Sequence, residues 1–446
     1  MKFYLESLGC AKNQVDSEDI IAQCEAGDWK WVNDPALANV IIVNTCGFIS
    51  SAREEAIDTL LEFKQSYPKA KVVAAGCLSQ RYKEQLAKLL PEIDGFIGNR
   101  DLSQIFLQLQ GMLKDGRNYA PSTFGEIGGV YSCSSDFFRS RRLTPNHYAY
   151  VKIAEGCNHG CSYCAIPLIR GALTSKPVKQ IVNEIDLLQK DGVKEIVLVA
   201  QDLFAYGSDL KEESDFLFLL KKIFELPGNF YIRLLYMHPD CFDMRLLDFM
   251  KNQTRLIPYL DIPLQHCNNE IVASMNRRGD FTTYLSLIKK IRESLPQIVI
   301  RTTFLLGHPG ENKKSLTELQ DFIKAAQFDW AGFFVYSKEE GTASSKQGSI
   351  FKNKMSIKRA NRWLSKLQQL QQDITTQRLN RFVGKKIKVI VEEAVQGESL
   401  FLARAYFHAP EVDGLVVLHG DDCRVGQIVE AKIIKVNGID LEAILA

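Results

Sequence analysis

The amino-acid sequence predicts an α/β protein with three parts: a parallel α/β domain, a central partial β/α barrel and a small antiparallel, OB-like β-barrel at the C-terminus. Strand-like and helix-like segments alternate over most of the chain, which is typical of parallel sheets. After residue 384 only short strand-like runs follow. The 446 residues also exceed the size at which single cores stop growing, so we expect several domains.

The N-terminal domain, placed at residues 1–112, contains three strand-like runs that each end just before a cysteine. In such sheets ligands lie beyond the carboxyl ends of the strands, so the loops could bring these cysteines together. Spacing alone favours a metal site and ordinary buried thiols equally. The runs are residues 3–8 before Cys10, 40–43 before Cys46 and 72–75 before Cys77.

The rest of the chain divides into a linker, a barrel and a terminal module. Residues 113–142 lack a clear period and end in the basic run Arg139, Arg141 and Arg142, which we interpret as a solvated linker. About six strand and helix units follow within residues 143–372, as expected for a complete or partial β/α barrel. A long helix-like stretch at 354–381 leads into the module at 375–446.

Composition limits the class of protein. A net charge of +2 suggests neither strong nucleic-acid nor membrane attraction. We identify no signal peptide and no apolar stretch of about 18 residues, so a cytoplasmic protein without a membrane partner is expected. The odd number of cysteines, 11, fits metal ligation better than a disulfide framework.

The most specific motif is CNHGCSYC at residues 157–164, called the cluster loop below. Cys157, Cys161 and Cys164 could bind three irons of a cubane and leave the fourth iron open. Structural zinc is the alternative, but it takes four ligands, and only His159 is near enough in sequence to be the fourth.

Polar residues follow the barrel strands at the end where β/α barrels bind ligands. These candidates are Gln201, Asp202, Gln265 and Arg301. Asp202 could be a helix cap or a ligand contact. Arg301 could be an ion-pair partner inside the barrel or a clamp for a carboxylate.

The cluster loop, with Tyr163 before its last cysteine, resembles the radical S-adenosylmethionine superfamily. Together with SLGCAKNQVDSE, VNTCGFISSAREE and AAGCLSQRY it resembles the methylthiotransferases across essentially the whole chain. The resemblance names the three parts: a methylthiotransferase domain, a radical S-adenosylmethionine core and a TRAM domain. The family usually has an aromatic residue where this chain has His308.

The resemblance also implies cofactors and their residues. It implies one 4Fe-4S cluster on Cys157, Cys161 and Cys164, whose open iron binds S-adenosylmethionine and yields a 5′-deoxyadenosyl radical. A second 4Fe-4S cluster on Cys10, Cys46 and Cys77 would deliver sulfur, with no catalytic residue beyond the clusters. Contacts to S-adenosylmethionine are expected from Tyr163, Gln201, Asp202, Gln265 and Arg301. The other cysteines, Cys24, Cys133, Cys241, Cys267 and Cys423, are interpreted as packing residues.

Two phrases, SLGCAKNQVDSE and ARAYFHAPEVDG, resemble the branch of the family that modifies a small-subunit ribosomal protein. Enzymes of the tRNA branch tend to have a Tyr-Gly-Cys-Gln-Met-Asn phrase instead. From residue 385 onward the module carries seven basic and ten acidic residues, a net charge of −3, which suits a basic protein better than tRNA phosphates. The preceding helix is basic, and we interpret it as a solvated face or a partner of the acidic module rather than an RNA contact.

The working hypothesis is radical methylthiolation of the β-carbon of an aspartyl residue in a small-subunit ribosomal protein, free or associated with the ribosome. S-adenosylmethionine would be both methyl donor and radical source, with an electron donor such as flavodoxin or ferredoxin. The main alternative is a tRNA adenosine methylthiotransferase. A noncatalytic iron-sulfur carrier is disfavoured, since carriers generally saturate their clusters with four protein ligands.

Overall fold

The fold is described from a computed structural model that covers residues 1–100, 102, 105–115, 139, 141–211, 214–347 and 350–446. Most of the segment 113–142, including Cys133, lies outside these residues. In the described part of the chain no helix combines the length and apolar character needed to cross a membrane.

The N-terminal domain is a five-stranded sheet with helices on both faces. Every neighbouring pair of strands is parallel, in the order β2-β1-β3-β4-β5. Three of its strands end just before Cys10, Cys46 and Cys77, which confirms the predicted arrangement. The strands are β1 Lys2–Ser7, β2 Lys30–Trp31, β3 Val40–Thr45, β4 Lys71–Gly76 and β5 Gly95–Ile97, and the helices are α1 Ala11–Ala26, α2 Ser50–Ser66, α3 Cys77–Tyr82, α4 Glu84–Leu89 and α5 Ile105–Asp115.

The central domain is an open sheet of six parallel strands, as expected for a partial barrel. Their order is β13-β12-β11-β10-β9-β6, and a two-stranded antiparallel pair, β7-β8, lies beside the cluster loop. The strands are β6 Tyr148–Lys152, β7 Ala154–Glu155, β8 Thr174–Ser175, β9 Glu195–Val199, β10 Tyr231–Leu234, β11 Leu256–Asp261, β12 Val299–Leu306 and β13 Trp330–Val335. The helices are α6 Ile166–Arg170, α7 Val178–Lys190, α8 Phe216–Phe224, α9 Arg245–Lys251, α10 Asn269–Ser274, α11 Phe281–Ser294 and α12 Lys313–Ala326.

The C-terminal part consists of a long helix and a closed five-stranded barrel. The helix is α13 Ile350–Leu379, and the strands are β14 Lys386–Ala394, β15 Leu400–Ala405, β16 Val416–His419, β17 Ile428–Asn437 and β18 Asp440–Leu445. The predicted antiparallel barrel is confirmed, with one exception: β16 and β18 close it as a parallel pair.

Alternate residues of the central strands face two different hydrophobic cores. Ala149 and Val151 of β6 pack among the barrel helices. Tyr148 and Tyr150 of the same strand face the inside of the barrel, where they share a core with C-terminal residues such as Phe407. The C-terminal module therefore covers part of the inner face of the sheet, since a strand directs successive side chains to opposite faces.

Buried charges tie this module to the central sheet. Glu195 accepts hydrogen bonds from Arg233 at 2.6 Å and from Arg404 of the module at 2.7 Å. The side chain of Arg233 is fully buried and that of Arg404 is 3% exposed. Tyr259 donates a 2.6 Å hydrogen bond to Asp413 of the module.

The prediction that the basic run at 139–142 is a solvated linker is wrong for Arg139 and Arg142, whereas the side chain of Arg141 is exposed and pairs with Glu25. Arg139 is buried and forms ion pairs with Glu18, Asp19 and Glu184. Arg142 lies 2.7 Å from Asp191. Carboxylates distant in sequence neutralise these arginines, so the local charge of the run did not predict its exposure to solvent.

Replacing Glu195 with glutamine is expected to destabilise the interface between the sheet and the module. It would leave two buried guanidinium groups without their shared carboxylate, a change that typically costs about 3–5 kcal/mol in the free energy of unfolding. The measurement is the midpoint of denaturant unfolding. The matched control is Glu225→Gln, which breaks an exposed pair with Lys222 and should change the free energy of unfolding by less than about 0.5 kcal/mol. Equal midpoints for the two variants would contradict the assignment.

The same comparison has a predicted pH dependence. Although burial alone would raise the pKa of Glu195, Arg233 and Arg404 lower it to about 2 from its ordinary value of 4.5. Stability from this carboxylate is present above pH 4.5 and is lost as the pH falls through about 2. The difference between wild type and Glu195→Gln should therefore shrink over this acidic range. A difference that grew on acidification would contradict this.

Candidate active site

The three strand-end cysteines, Cys10, Cys46 and Cys77, converge at the carboxyl edge of the N-terminal sheet. Cys10 precedes α1, Cys46 follows β3, and Cys77 begins α3 directly after β4. The loops that carry Cys10 and Cys46 approach closely at Gly9, whose φ is +97°. A Cβ added to Gly9 would lie 3.0 Å from the Cβ of Cys46 and 3.3 Å from its sulfur. The sequence thus brings these three thiols together as expected.

The charges around these thiols differ from one cysteine to the next. Burial raises the pKa of Cys77 to about 12; Arg170 opposes this shift, and the Cys46 and Cys10 thiols add to it. Desolvation of the Cys10 thiol by the surrounding protein would alone raise its pKa, although the residue is exposed to solvent; Lys12 and Arg170 lower this pKa below its ordinary value. Positive charge from both domains, Lys12 of the N-terminal domain and Arg170 of the barrel, therefore acts on this set of sulfurs.

Arg170, at the end of α6, joins the N-terminal domain to the barrel. One of its nitrogens, Nη2, lies 3.3 Å from the Cys77 sulfur and 3.0 Å from Asp16, and the other, Nη1, lies 2.7 Å from Glu155. Lys152, at the end of β6, completes this network by binding Asp16 and, at 2.7 Å, Glu155. The side chains of Asp16, Lys152 and Arg170 are at most 3% exposed.

The cluster loop lies directly before α6, so the network holds it near the strand-end cysteines. Cys77 and Ile169 of α6 belong to one small buried hydrophobic cluster, against which Phe48 packs. Helices α3 and α6 are in contact. The two cysteine sets therefore lie at the same domain interface.

Backbone hydrogen bonds fix the centre of the cluster loop. The amide of Ser162 donates to Met275 O at 2.9 Å, and its carbonyl accepts from the Ser344 amide at 2.8 Å. The Ser162 hydroxyl donates to Ser274 O at 2.8 Å. His308 lies 3.3 Å from this hydroxyl, so the residue that departs from the family's usual aromatic adds a polar contact to the loop.

The donor set of the cluster loop fits an iron-sulfur cluster. Burial raises the pKa of Cys157 to about 11 and that of Cys164 to about 12, and the neighbouring thiols add to both shifts. All ten described cysteines are free, and three thiols in each set match the expectation of three ligands and one open iron. His159, the extra ligand that zinc would need, directs its Nε2 to Asp202 at 2.6 Å instead.

Asp202 is a helix cap that also holds the cluster loop. It accepts a 3.1 Å hydrogen bond from the Phe204 amide at the start of a short 3-10 helix and a 3.0 Å bond from the His238 amide. The ring of His159 stacks on that of His238, with centroids 4.0 Å apart. The cap interpretation is confirmed, and a contact to S-adenosylmethionine remains a prediction.

The other expected contact residues lie near the barrel mouth in different settings. The Tyr163 hydroxyl accepts a 3.2 Å hydrogen bond from Arg277. The side-chain nitrogen of Gln201 is buried without a hydrogen-bond partner among the described residues, which leaves a donor for a ligand. Gln265 has a φ of +72° and pairs through its backbone with Phe304 of β12.

Arg301 pairs with carboxylates of the protein. Its Nη1 lies 3.6 Å from Asp261, and its Nε lies 3.4 Å from Asp413 of the C-terminal module. The structure thus places it as an ion-pair partner, one of the two interpretations left open by the sequence. Its role toward S-adenosylmethionine remains a prediction.

Two residues of this region, Arg170 and Lys12, were not singled out from the sequence. Arg170 and Lys12 are single basic residues in apolar or mixed runs, and their burial in the folded protein reveals their importance. The one signal in the sequence was that each lies within six residues of a cysteine of the two sets. Cys241 is exposed, so its interpretation as a packing residue is wrong. Its sulfur lies within 4.8 Å of ligand atoms of His159 and His238. Cys24 and Cys267 are buried as expected.

Three family descriptions match the chain in turn. Residues 2–98 match Uncharacterized protein family UPF0004, residues 151–323 match the Radical SAM superfamily, and residues 383–445 match the TRAM domain. The order of these matches follows the three parts of the fold.

Curated relatives decide the family. A protein named ribosomal protein uS12 methylthiotransferase RimO from Treponema denticola is 43% identical, with 98% of this chain and 99% of the relative covered. The chain belongs to the ribosomal protein uS12 methylthiotransferase family. Family members of the same name from Carboxydothermus hydrogenoformans and Aquifex aeolicus are 39% and 38% identical, each over 99% of this chain and over 99% and 96% of their own lengths.

Solved structures share the fold of this uS12 methylthiotransferase family member at low identity. The radical S-adenosylmethionine methyltransferase TsrM from Kitasatospora setae, with cobalamin and a [4Fe-4S] cluster bound, aligns with a TM-score of 0.54 at 13% identity and covers 75% of this chain and 74% of its own. The cobalamin-dependent S-adenosylmethionine radical enzyme OxsB aligns with a TM-score of 0.51 at 11% identity, over 80% and 56% of the two chains.

Arg170→Met is expected to weaken iron binding at Cys10, Cys46 and Cys77 while iron at the cluster loop is retained. The variant removes the cation beside the Cys77 sulfur and leaves Asp16 and Glu155 with Lys152 alone, and outer partners of this kind typically affect metal affinity 10- to 100-fold. The measurement is iron content and Mössbauer spectra after anaerobic reconstitution.

Arg245→Met, which removes an exposed arginine, is the matched control and should bind iron like wild type. Full iron loading of Arg170→Met at the strand-end cysteines would contradict the role given to Arg170.

Proposed function

We propose that this protein is a radical methylthiotransferase that modifies the β-carbon of an aspartyl residue in ribosomal protein uS12. The observation that carries the proposal is the meeting of two three-cysteine sets at one domain interface, in a chain of the uS12 methylthiotransferase family. A single set would account for radical formation, but not for sulfur delivery.

In this proposal Cys157, Cys161 and Cys164 hold one 4Fe-4S cluster, and the strand-end cysteines hold the second. When bound, the first cluster and S-adenosylmethionine supply a 5′-deoxyadenosyl radical, and the second cluster with S-adenosylmethionine as methyl donor supplies the methylthio group. Tyr163, Gln201, Asp202, Gln265 and Arg301 are proposed to line the S-adenosylmethionine site, either directly or through the side chains that they position.

The chain's own residues position the reacting groups and exclude water. The buried pairs of Arg170 and Lys152 dock the N-terminal domain against the barrel, so both cysteine sets face the same interface. The Ser162 hydrogen bonds hold the cluster loop in one conformation. Such a docked interface limits water near the radical, which protects it from side reactions.

The substrate is proposed to be a protein rather than tRNA. The relatives that establish the family are named for uS12, and the net charge of −3 after residue 385 is unfavourable for phosphate binding. Part of this acidity is used internally, because Glu411 and Asp413 bind Tyr148 and Tyr259 of the barrel. The remaining acidic residues of the module and the family relationship both favour a protein substrate. The free or ribosome-bound state of uS12 and the identity of the electron donor, such as flavodoxin or ferredoxin, belong to the same proposal.

Cysteine variants should separate the two cysteine sets by their reactions. Cys157→Ala should abolish formation of 5′-deoxyadenosine, whereas Cys77→Ala should retain it and lose methylthiolation. Both variants are reconstituted anaerobically with reductant, S-adenosylmethionine, purified uS12 and, in parallel, tRNA. Liquid chromatography quantifies 5′-deoxyadenosine, and peptide mass spectrometry locates the methylthio group.

Cys24→Ala is the matched control, since Cys24 is buried in the N-terminal core away from both sets and should leave both products unchanged. Methylthiolation of tRNA adenosine with uS12 unmodified would contradict the proposed substrate. Methylthiolation of uS12 by Cys77→Ala would contradict the role of the strand-end cysteines.

A further inference from the structure

Lys12 is a buried lysine whose ammonium group forms no ion pair with a carboxylate of the described residues, although Glu155 and Asp261 act on it from a greater distance. Its residue is 5% exposed, and its ammonium makes one long hydrogen bond of 3.4 Å to the carbonyl of Ala200. It also lies 3.8 Å from the centre of the Tyr236 ring. In the described ranges, no Asp or Glu oxygen pairs with the Lys12 nitrogen.

The neighbouring buried cations differ from Lys12 in this respect. Lys152 binds both Asp16 and Glu155, and Arg170 binds the same two carboxylates. A buried charge is costly unless it is paired, and the carboxylates of this interface pair with only two of its three basic side chains. Beside Lys12 the chain supplies the Cys10 sulfur but no carboxylate at ion-pair distance, so Lys12 can bind a carboxylate from a ligand.

Lys12 lies between the strand-end cysteines and the barrel mouth. It follows Cys10 by two residues, and its contacts Ala200 and Tyr236 lie in the loops that follow β9 and β10. Cys10 is solvent-exposed, and Lys12 of its own domain and Arg170 and Tyr236 of the barrel domain lie close enough to interact with it electrostatically. A solvent-accessible space therefore reaches this point of the interface.

We propose that the Lys12 ammonium binds the side-chain carboxylate of the aspartyl residue to be modified. The inference rests on the proposed function and adds to it a substrate-binding residue. The β-carbon of aspartate is bonded to its carboxyl carbon, so a salt bridge to Lys12 holds that β-carbon beside Cys10.

S-adenosylmethionine also carries a carboxylate, and Lys12 could bind that group by the same chemistry. The position of Lys12 favours the protein substrate, because Lys12 belongs to the N-terminal domain and adjoins Cys10 rather than the cluster loop. The test therefore measures the two ligands separately.

The test is a two-by-two comparison of binding. Wild type and Lys12→Met, both anaerobically reconstituted, are titrated without reductant against purified uS12 and against uS12 whose acceptor aspartate is replaced by asparagine. Calorimetry gives each Kd. Lys12→Met should weaken binding of native uS12 about 10- to 100-fold, the range typical of a hydrogen bond to a charged group, and should leave the Kd of the asparagine form unchanged.

Iron content, S-adenosylmethionine affinity and 5′-deoxyadenosine formation are measured on the same samples. S-adenosylmethionine affinity and 5′-deoxyadenosine formation should be like wild type in Lys12→Met, and the Kd values are compared at equal iron content because Lys12 also acts on the Cys10 sulfur. Lys30→Met, which removes an exposed lysine of the same domain, should match wild type in every assay. Lys12→Arg should restore part of the discrimination between the aspartate and asparagine forms.

Any of the following results would overturn the inference. Equal weakening of both uS12 forms would make Lys12 a general structural residue, loss of S-adenosylmethionine affinity would assign it to that cofactor, and failure to bind the second cluster at all would assign it to that cluster. If wild type failed to methylthiolate uS12, the proposed function would fail together with this inference. An active wild type with no difference between the two uS12 forms would overturn this inference alone.

Discussion

The buried ion network of Asp16, Lys152, Glu155 and Arg170 is the interaction on which the arrangement of the site depends. It joins α1 of the N-terminal domain to β6, β7 and α6 of the barrel, and Arg170 also touches the Cys77 sulfur. Charges buried this deeply stabilise only one geometry, since each would be left unpaired by a shift of the domains. The relative placement of the two cysteine sets is therefore fixed by electrostatics as well as by apolar packing.

The two ends of the central barrel serve different purposes, and the ion network lies at one of them. At the first residues of the strands, Glu195 and Tyr148 bind the C-terminal module and complete a buried core there. At the last residues, Lys152 and the loop after β9 meet the N-terminal domain. Parallel strands carry their ligand-binding loops at the second end, so the C-terminal module stabilises the barrel while its working end stays available to the cysteine sets.

The sequence predicted the strands, their order of appearance and the grouping of the cysteines, because hydrophobic periodicity and motif spacing are local signals. The ion network was not predictable in that way. Arg139 was interpreted as part of a solvated linker, yet Glu18, Asp19 and Glu184 neutralise it in a buried site. Arg170 and Lys12 were not singled out either. In each case the outcome depends on carboxylates or aromatic rings that are distant in sequence and meet the cation only after folding.

The most direct test of the account is anomalous diffraction at the iron absorption edge from crystals of the anaerobically reconstituted protein. The account predicts two separate iron centres, one against Cys157, Cys161 and Cys164 and one against the strand-end cysteines, both facing the space beside Lys12. A single iron centre, or iron bound instead by His159, His238 and Cys241, would contradict it.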